Sequence, residues 1–282
     1  MAVRSSALAL GALFVLGLGA VAWALPDSAP SSAAMDLDLA RQIHELVFER
    51  PERVTELVRD ALSGLVETPD RLRLSLTPAP EPARRLAGGF ATMEVELDEA
   101  TVKALRVESA RFRIRDAVLD WEQLLRHRRL RLREAGSVDL AIAVREGDLR
   151  ELFRVKAGKL HVRNPRIDLQ QGRLRFTGGV RALFFDNKVD VAGVLSVRDG
   201  TKVDFHPRWM NLDLLPIPGF VLRTLARRIN PIADFDGFVV PVRLSSIRVT
   251  DDHIYLGGGD WGAEPDRMAD AEGATAEEPA GS

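Results

Sequence analysis

The residues that could carry out chemistry are few in this chain, and they do not converge on one site. The 282-residue sequence contains no cysteine, which excludes disulfides, thiolate metal sites and a thiol nucleophile. Its five histidines are scattered; His206 is best interpreted as a loop residue, and Asp251-Asp252-His253 as a turn rather than a metal site. No nucleophile elbow, P-loop, dinucleotide fingerprint or H-E-x-x-H helix is present. The sequence therefore predicts a protein that is not an enzyme and needs no metal or cofactor.

The basic residues indicate a different chemistry, the binding of anionic groups. Lysine occurs only at positions 103, 156, 159, 188 and 202, so most of the 39 basic residues are arginines. The planar guanidinium suits phosphate, although a genome rich in G and C would give the same bias. The densest run, Arg126 to Arg133, is either a solvated strand face or a surface that contacts phosphate head groups of a membrane. The net charge of −2 gives no support to nucleic acid as a partner.

The N-terminus predicts export. Arg4 precedes an uncharged apolar stretch from Ala7 to Ala24 that ends in Ala22-Trp23-Ala24, a pattern typical of a secretory signal with its cleavage site. The stretch is also just long enough to span a bilayer, so residues 1–24 are either a cleaved signal peptide or an uncleaved membrane anchor. A linker is predicted over 25–35, a folded domain over 36–259, and a disordered acidic tail over 260–282. We expect the protein in the periplasm or cell envelope.

The spacing of apolar residues changes from helical to alternating along the predicted domain. Residues 36–64 have helical spacing, and a kink or restart is expected near Arg50 because Pro51 follows it. Polar and apolar residues then alternate up to Gly259 in many short segments separated by turns, which predicts an antiparallel meander. Examples of these segments are Arg71–Leu76, Arg111–Arg115, Arg129–Arg133 and Lys202–Phe205. Short helices are predicted over 120–125, 146–153 and 220–229.

The predicted fold class is α+β, with a long N-terminal helix wrapped by a highly curved antiparallel β-sheet and a short amphipathic C-terminal helix. The apolar strand faces exceed what so few helices would cover, unless those helices suffice to build an ordinary core. The excess would leave a groove that an acyl chain fills. The candidate groove residues are Ile43, Leu46, Val47, Leu57, Leu62, Leu214, Phe220, Val221, Leu225 and Phe238. Candidates for contact with lipid head groups or a membrane surface are Arg126, Arg128, Arg129, Arg131, Arg227 and Arg228.

Over residues 36–258, a helix and alternating strands are followed in order by Glu146-Gly147-Asp148-Leu149, Phe235-Asp236-Gly237-Phe238 and Ile254-Tyr255-Leu256-Gly257-Gly258. This order resembles that of the LmeA-like family of bacterial cell-envelope proteins, within the tubular lipid-binding superfamily. The resemblance implies a curved sheet around a long helix and the binding of phospholipid or a related lipid. Our first hypothesis is therefore a non-enzymatic envelope protein that binds or shuttles lipid. The alternative is an envelope structural or assembly factor with a dry core that binds a protein through a sheet edge.

Overall fold

The N-terminal helical region is interrupted at Pro51. In the computed structural model, α1 (Leu37–His44) continues into a π-helical turn (Glu45–Glu49), and α2 (Pro51–Ser63) begins one residue later. Arg50 has φ −138° and ψ 58°, outside the helical region, because a residue before proline is sterically driven out of it. The restart predicted near Arg50 is confirmed, whereas the single long helix of the predicted fold is wrong.

The structure describes residues 37–66, 69–102, 105–159, 162–182, 185–213, 215–236 and 240–263. The predicted signal peptide or anchor, the linker, and the acidic tail beyond Ala263 lie outside these residues. Within the described ranges, no helix is long and apolar enough to cross a membrane.

A first antiparallel sheet contains the edge strand that follows α2. Its strands are β1 (Arg71–Pro78), β2 (Gly89–Val102), β3 (Leu105–Leu119), β4 (Leu132–Glu134), β5 (Ser137–Arg145), β12 (Ser246–Val249) and β13 (His253–Gly258). They pair in the order β1-β2-β3-β5-β13-β12, with β4 attached to β3. Two short helices interrupt the chain between these strands, α3 (Pro82–Leu86) and α4 (Trp121–His127). Asp120 caps α4, because its side chain accepts a hydrogen bond from the backbone N–H of Gln123 at 3.1 Å.

A second antiparallel sheet follows the longest helix of the described chain, α5 (Glu146–Lys159). Its strands are β6 (Val162–Gln170), β7 (Arg173–Ala182), β8 (Phe185–Arg198), β9 (Lys202–Leu212), β10 (Leu215–Pro216) and β11 (Ala233–Asp234). They pair in the order β10-β9-β8-β7-β6, with β11 attached to β9. The short helix predicted over 220–229 is confirmed as α6 (Gly219–Ile229). It packs on β9.

Both sheets contribute to one hydrophobic core. Alternate strand residues point inward, and Leu140, Phe176 and Phe205 are among the largest side chains that are fully buried. Backbone hydrogen bonds also join the sheets, from the Gly172 amide to the Val249 carbonyl at 2.8 Å and from the Leu244 amide to the Gly200 carbonyl at 2.6 Å. About half of the described residues are in strands, so the predicted α+β class with a curled antiparallel sheet is confirmed.

Two local predictions are corrected by the structure. The alternating segment 129–133 is not a strand over its length: Arg128 ends α4 with a left-handed φ of 52°, and pairing begins only at Leu132. The folded part also extends beyond the predicted boundary at 259, because residues Gly259–Ala263 form a 3₁₀ helix against β5. There the Asp260 amide donates to the buried carboxylate of Asp139 at 3.0 Å.

Candidate functional site

A pocket of about 260 Å³ lies where the interrupted N-terminal helix meets the first sheet. Both sides of the interruption contribute to it, Val47 from the π-helical turn and Pro51 from the first turn of α2. The break in the helix therefore forms part of the pocket wall. The lining residues are Val47, Pro51, Glu52, Val54, Thr55, Leu76, Pro78, Arg85, Gly89, Phe90 and Trp121.

Neighbouring strands bring the sheet side of the pocket together. Pro78 of β1 pairs with Phe90 of β2, after a register shift between Thr77 and Pro78 that ends the regular ladder. Gly89 allows α3 to approach this strand closely, because a Cβ atom there would lie only 2.7 Å from the Arg84 carbonyl oxygen. The sheet thus supplies a mostly apolar wall next to a short basic helix.

Arg85 is the cation among the lining residues. Its Nη2 donates a hydrogen bond to the Pro80 carbonyl at 3.3 Å, and its guanidinium carbon lies 5.6 Å from the centre of the Phe48 ring. Its buried Nε has no hydrogen-bond partner in the described part of the chain. The guanidinium is the positive charge of the lining, and such a group forms strong hydrogen bonds with anionic acceptors.

The volume of the pocket limits what it can hold. An apolar cavity of ~150 Å³ accommodates benzene, and pockets for drug-sized ligands measure ~300–1,000 Å³. At about 260 Å³, this pocket has room for a small ligand or for one segment of a larger one. The sequence predicted a groove large enough for an acyl chain. The pocket is smaller than that, because the second sheet and the short helices pack with the first sheet in one core.

The predicted groove residues do not all lie at this pocket. Val47 lines it, whereas Ile43 and Leu62 are buried in the core and Leu46 and Leu57 pack against that core. Phe220 is exposed on α6 and is not among the lining residues. Leu214 and Phe238 lie outside the described residues, as do the side chains of Val221 and Leu225.

The predicted head-group arginines are exposed where they can be described. Arg126 closes α4 and pairs with Glu122 at 3.4 Å, and Arg128, Arg129 and Arg131 follow it in the connection to β4. These four arginines lie between β3 and β4 of the first sheet. Arg227 is exposed on α6, beside the second sheet. The side chain of Arg228 lies outside the described residues. The structure therefore separates these candidates into two surfaces.

Several pocket residues were not predicted, among them Arg85, Phe90 and Trp121. Local signals for two of them exist in the sequence. Pro82 at the first helical position indicates α3, which carries Arg85, and Asp120 indicates the helix that begins at Trp121. Phe90 has no such signal, since its place depends on the pairing of β1 with β2.

A separate polar cluster surrounds His253 on the first sheet. The imidazole Nε2 lies 2.6 Å from Glu108 Oε2 and Nδ1 lies 2.9 Å from Asp252 Oδ1. Burial lowers the pKa of His253, but the nearby carboxylates of Asp252 and Glu108 outweigh burial, and the pKa is raised overall. The close approach of His253 lowers the pKa of Asp252. No group of three or more His, Asp or Glu side chains in the described residues is arranged to hold a metal.

The predicted turn at Asp251–His253 is confirmed. The Asp251 carboxylate accepts a hydrogen bond from the backbone N–H of Gln171 at 2.9 Å, and the Thr250 hydroxyl donates one to Asp252 Oδ1 at 2.8 Å. These aspartates fix the turn between β12 and β13 against the second sheet.

The fold is α+β with curled antiparallel sheets, and its pocket has a mostly apolar lining that also contains Arg85 and Glu52. Residues 52–258 match the model of the LmeA-like phospholipid-binding family. The match covers most of the chain, which therefore belongs to this family, and the resemblance found in the sequence is confirmed. Comparisons with curated proteins and with solved structures found no significant match. The matched range contains every pocket residue except Val47 and Pro51.

Proposed function

We propose that the protein binds a phospholipid at the pocket between α2, β1, β2 and α4, and that it shuttles this lipid in the bacterial cell envelope. One observation carries the proposal: a mostly apolar pocket lining includes the guanidinium of Arg85, with Glu52 at the exposed start of α2 as the one carboxylate of that lining. This combination matches an amphiphile with an apolar tail and an anionic head.

The energetics of the pocket favour partial insertion of the lipid. Each methylene removed from water contributes about 0.8 kcal/mol, so roughly five of them contribute about 4 kcal/mol before ordering costs. The head group and the remaining hydrocarbon then lie outside the pocket, with the phosphate near Arg85. A lipid held in this way can leave without unfolding of the core, which suits transfer between membranes.

The sequence supports the proposed location. A basic residue, an apolar stretch and an Ala22-Trp23-Ala24 site precede the domain, a pattern typical of export. Membership in a phospholipid-binding family fits a protein that works beside membranes. We therefore place the protein in the envelope, either released after cleavage or anchored by residues 1–24.

Filling the pocket tests the proposal. Thr55 lines the pocket from α2 and is half-buried, so Thr55→Trp places an indole in the ligand's space. The next residue, Glu56, is exposed and is not among the lining residues, so Glu56→Trp is a matched control. Native mass spectrometry of protein purified from its envelope should show bound phospholipid in the wild type and in the control. We expect at least a tenfold loss in Thr55→Trp.

Circular dichroism on the same samples ensures that the comparison concerns folded protein. If folded Thr55→Trp carries as much lipid as the wild type, the pocket is not the site. If the wild type carries no lipid at all, the alternative of an assembly factor with a dry core gains support.

A further inference from the structure

The connection from β10 into α6 exposes apolar side chains at the edge of the second sheet. Leu215 is 70% exposed and Phe220 is 64% exposed, more than any other large apolar side chain of the described chain except Leu37. Pro216, Pro218 and Gly219 between them are exposed as well. We call residues 215–220 the apolar loop. A cluster of exposed apolar side chains is typical of a surface that contacts a partner or a membrane.

Backbone hydrogen bonds hold the apolar loop in place. Leu215 pairs with Leu212 of β9, and the Ile217 amide donates to the Met210 carbonyl at 2.9 Å. At the far end of the loop, α6 packs on β9 and its Leu222 is buried. The exposed residues are therefore presented by an ordered backbone, which lowers the entropic cost of binding.

Unpaired arginines accompany the apolar loop. Phe220, Arg223 and Arg227 lie on one face of α6, because residues three and four positions apart are neighbours on a helix. Both arginines are exposed, and neither forms an ion pair with a carboxylate in the described residues. Arginines elsewhere on the second sheet do pair, as Arg175 does with Asp190 at 2.7 Å.

We infer that the apolar loop and the arginine face of α6 form one surface that docks on an anionic phospholipid bilayer. Leu215 and Phe220 enter the boundary between head groups and acyl chains, while Arg223 and Arg227 contact lipid phosphates. The positive charges of Arg223 and Arg227 complement the negative charge of the leaflet, which attracts basic residues that lie next to inserted apolar groups. The inference adds a membrane-contact surface to the proposed function, and it rests on this loop rather than on the pocket.

A single introduced cysteine tests the insertion, because the chain has no cysteine of its own. Gly219→Cys places a label in the apolar loop, where the nearest heavy atom to a Cβ would be Arg223 Nη1 at 3.9 Å. Gly147→Cys is a matched control in the first turn of α5, where a Cβ meets nothing within 4 Å. The full chain carries an environment-sensitive dye at either position and is mixed with phosphatidylcholine vesicles that contain phosphatidylglycerol.

The dye at position 219 should shift to shorter wavelength on vesicle binding, and the dye at 147 should not. The shift should weaken at high salt and with vesicles of phosphatidylcholine alone. If the protein floats with the vesicles while the label at 219 still reports water, the inference is overturned.

The role of the arginines is tested by charge removal at two places. Arg223→Gln/Arg227→Gln should move the vesicle titration midpoint to about 25-fold more lipid, since each basic residue at an anionic surface contributes a factor of about five. Arg53→Gln/Arg59→Gln removes the same charge from exposed positions on α2 and should change the midpoint little. If the two double variants have equal effects, net charge alone drives binding. The assignment of the docking surface to α6 is then wrong.

Lipid content separates this inference from the proposed function. Thr55→Trp should dock on vesicles like the wild type although it carries at least tenfold less lipid. The Arg223→Gln/Arg227→Gln variant, purified from the envelope, should dock poorly yet still give the phospholipid adduct in native mass spectrometry. Loss of docking in Thr55→Trp would contradict the assignment of docking to α6.

Discussion

The indole Nε1 of Trp121 donates a hydrogen bond to the backbone carbonyl of Leu86 at 3.1 Å. Trp121 is a buried wall of the pocket, and Leu86 follows the pocket's arginine in α3. This one bond therefore ties α4 to the short helix that carries Arg85.

Removing this bond should lower stability while leaving an apolar wall. Trp121→Phe loses the hydrogen bond and part of the buried ring, so we expect the free energy of unfolding to fall by about 1–3 kcal/mol. Urea unfolding followed by far-UV circular dichroism measures this as a lower midpoint with an unchanged slope. Trp209→Phe, at a ring that is 37% exposed, is the control and should have a smaller effect. Equal midpoints for Trp121→Phe and the wild type would show that the bond does not stabilise the fold.

Arg85 should determine which phospholipids the pocket prefers. Arg85→Gln removes the charge and should reduce the preference for phosphatidylglycerol over phosphatidylcholine by about tenfold, which corresponds to ~1.4 kcal/mol. The measurement is the ratio of the two lipids bound after incubation with an equal mixture. Arg84→Gln is a matched control, because Arg84 is the adjacent residue of α3 but does not line the pocket. An unchanged ratio in Arg85→Gln would exclude the guanidinium from head-group recognition.

Much of the secondary structure could be predicted because alternation and helical spacing are local signals. The segments Arg71–Leu76 and Arg111–Arg115 lie in β1 and β3, and the amphipathic segment 220–229 forms α6. The division into two sheets could not be predicted, since alternation identifies the two faces of a strand but not its partners. The prediction of one long N-terminal helix was wrong, because the helical spacing of apolar residues continues across Pro51 while the helical backbone is interrupted at Arg50.

The candidate site was only partly predictable for the same reason. Val47 was found from helical spacing, and it does line the pocket. Phe90 and Leu76 reach the pocket through the register of β1 against β2, which places Leu76 opposite Met93 and Pro78 opposite Phe90. Register is set by the packed core and the intervening α3. The arginine run at 126–131 was conspicuous in sequence, yet it lies in a connection outside the pocket lining.

His253 should make the stability of the fold depend on pH. Its imidazole lies between the carboxylates of Glu108 and Asp252, and Glu108 also accepts a hydrogen bond from Arg145 Nε at 2.9 Å. This cluster joins β3, β5 and β13, and Arg145 extends it to Glu99 of β2. Despite the opposing effect of burial, these carboxylates raise the pKa of His253. The charged imidazolium is thus favoured in the folded state over the unfolded chain.

The sign of the pH effect follows from that raised pKa. Stabilisation by charged His253 is complete below the unfolded value of ~6.5 and is lost as the pH rises through the higher folded value. The Tm of the wild type should therefore fall as the pH rises above about 6.5, and His253→Gln should flatten this part of the profile. His127→Gln, at an exposed histidine of α4, removes an imidazole without touching the cluster and is the control. If His253→Gln and the wild type lose Tm in parallel over this range, His253 is not charged in the folded protein, and the cluster is held by Arg145 alone.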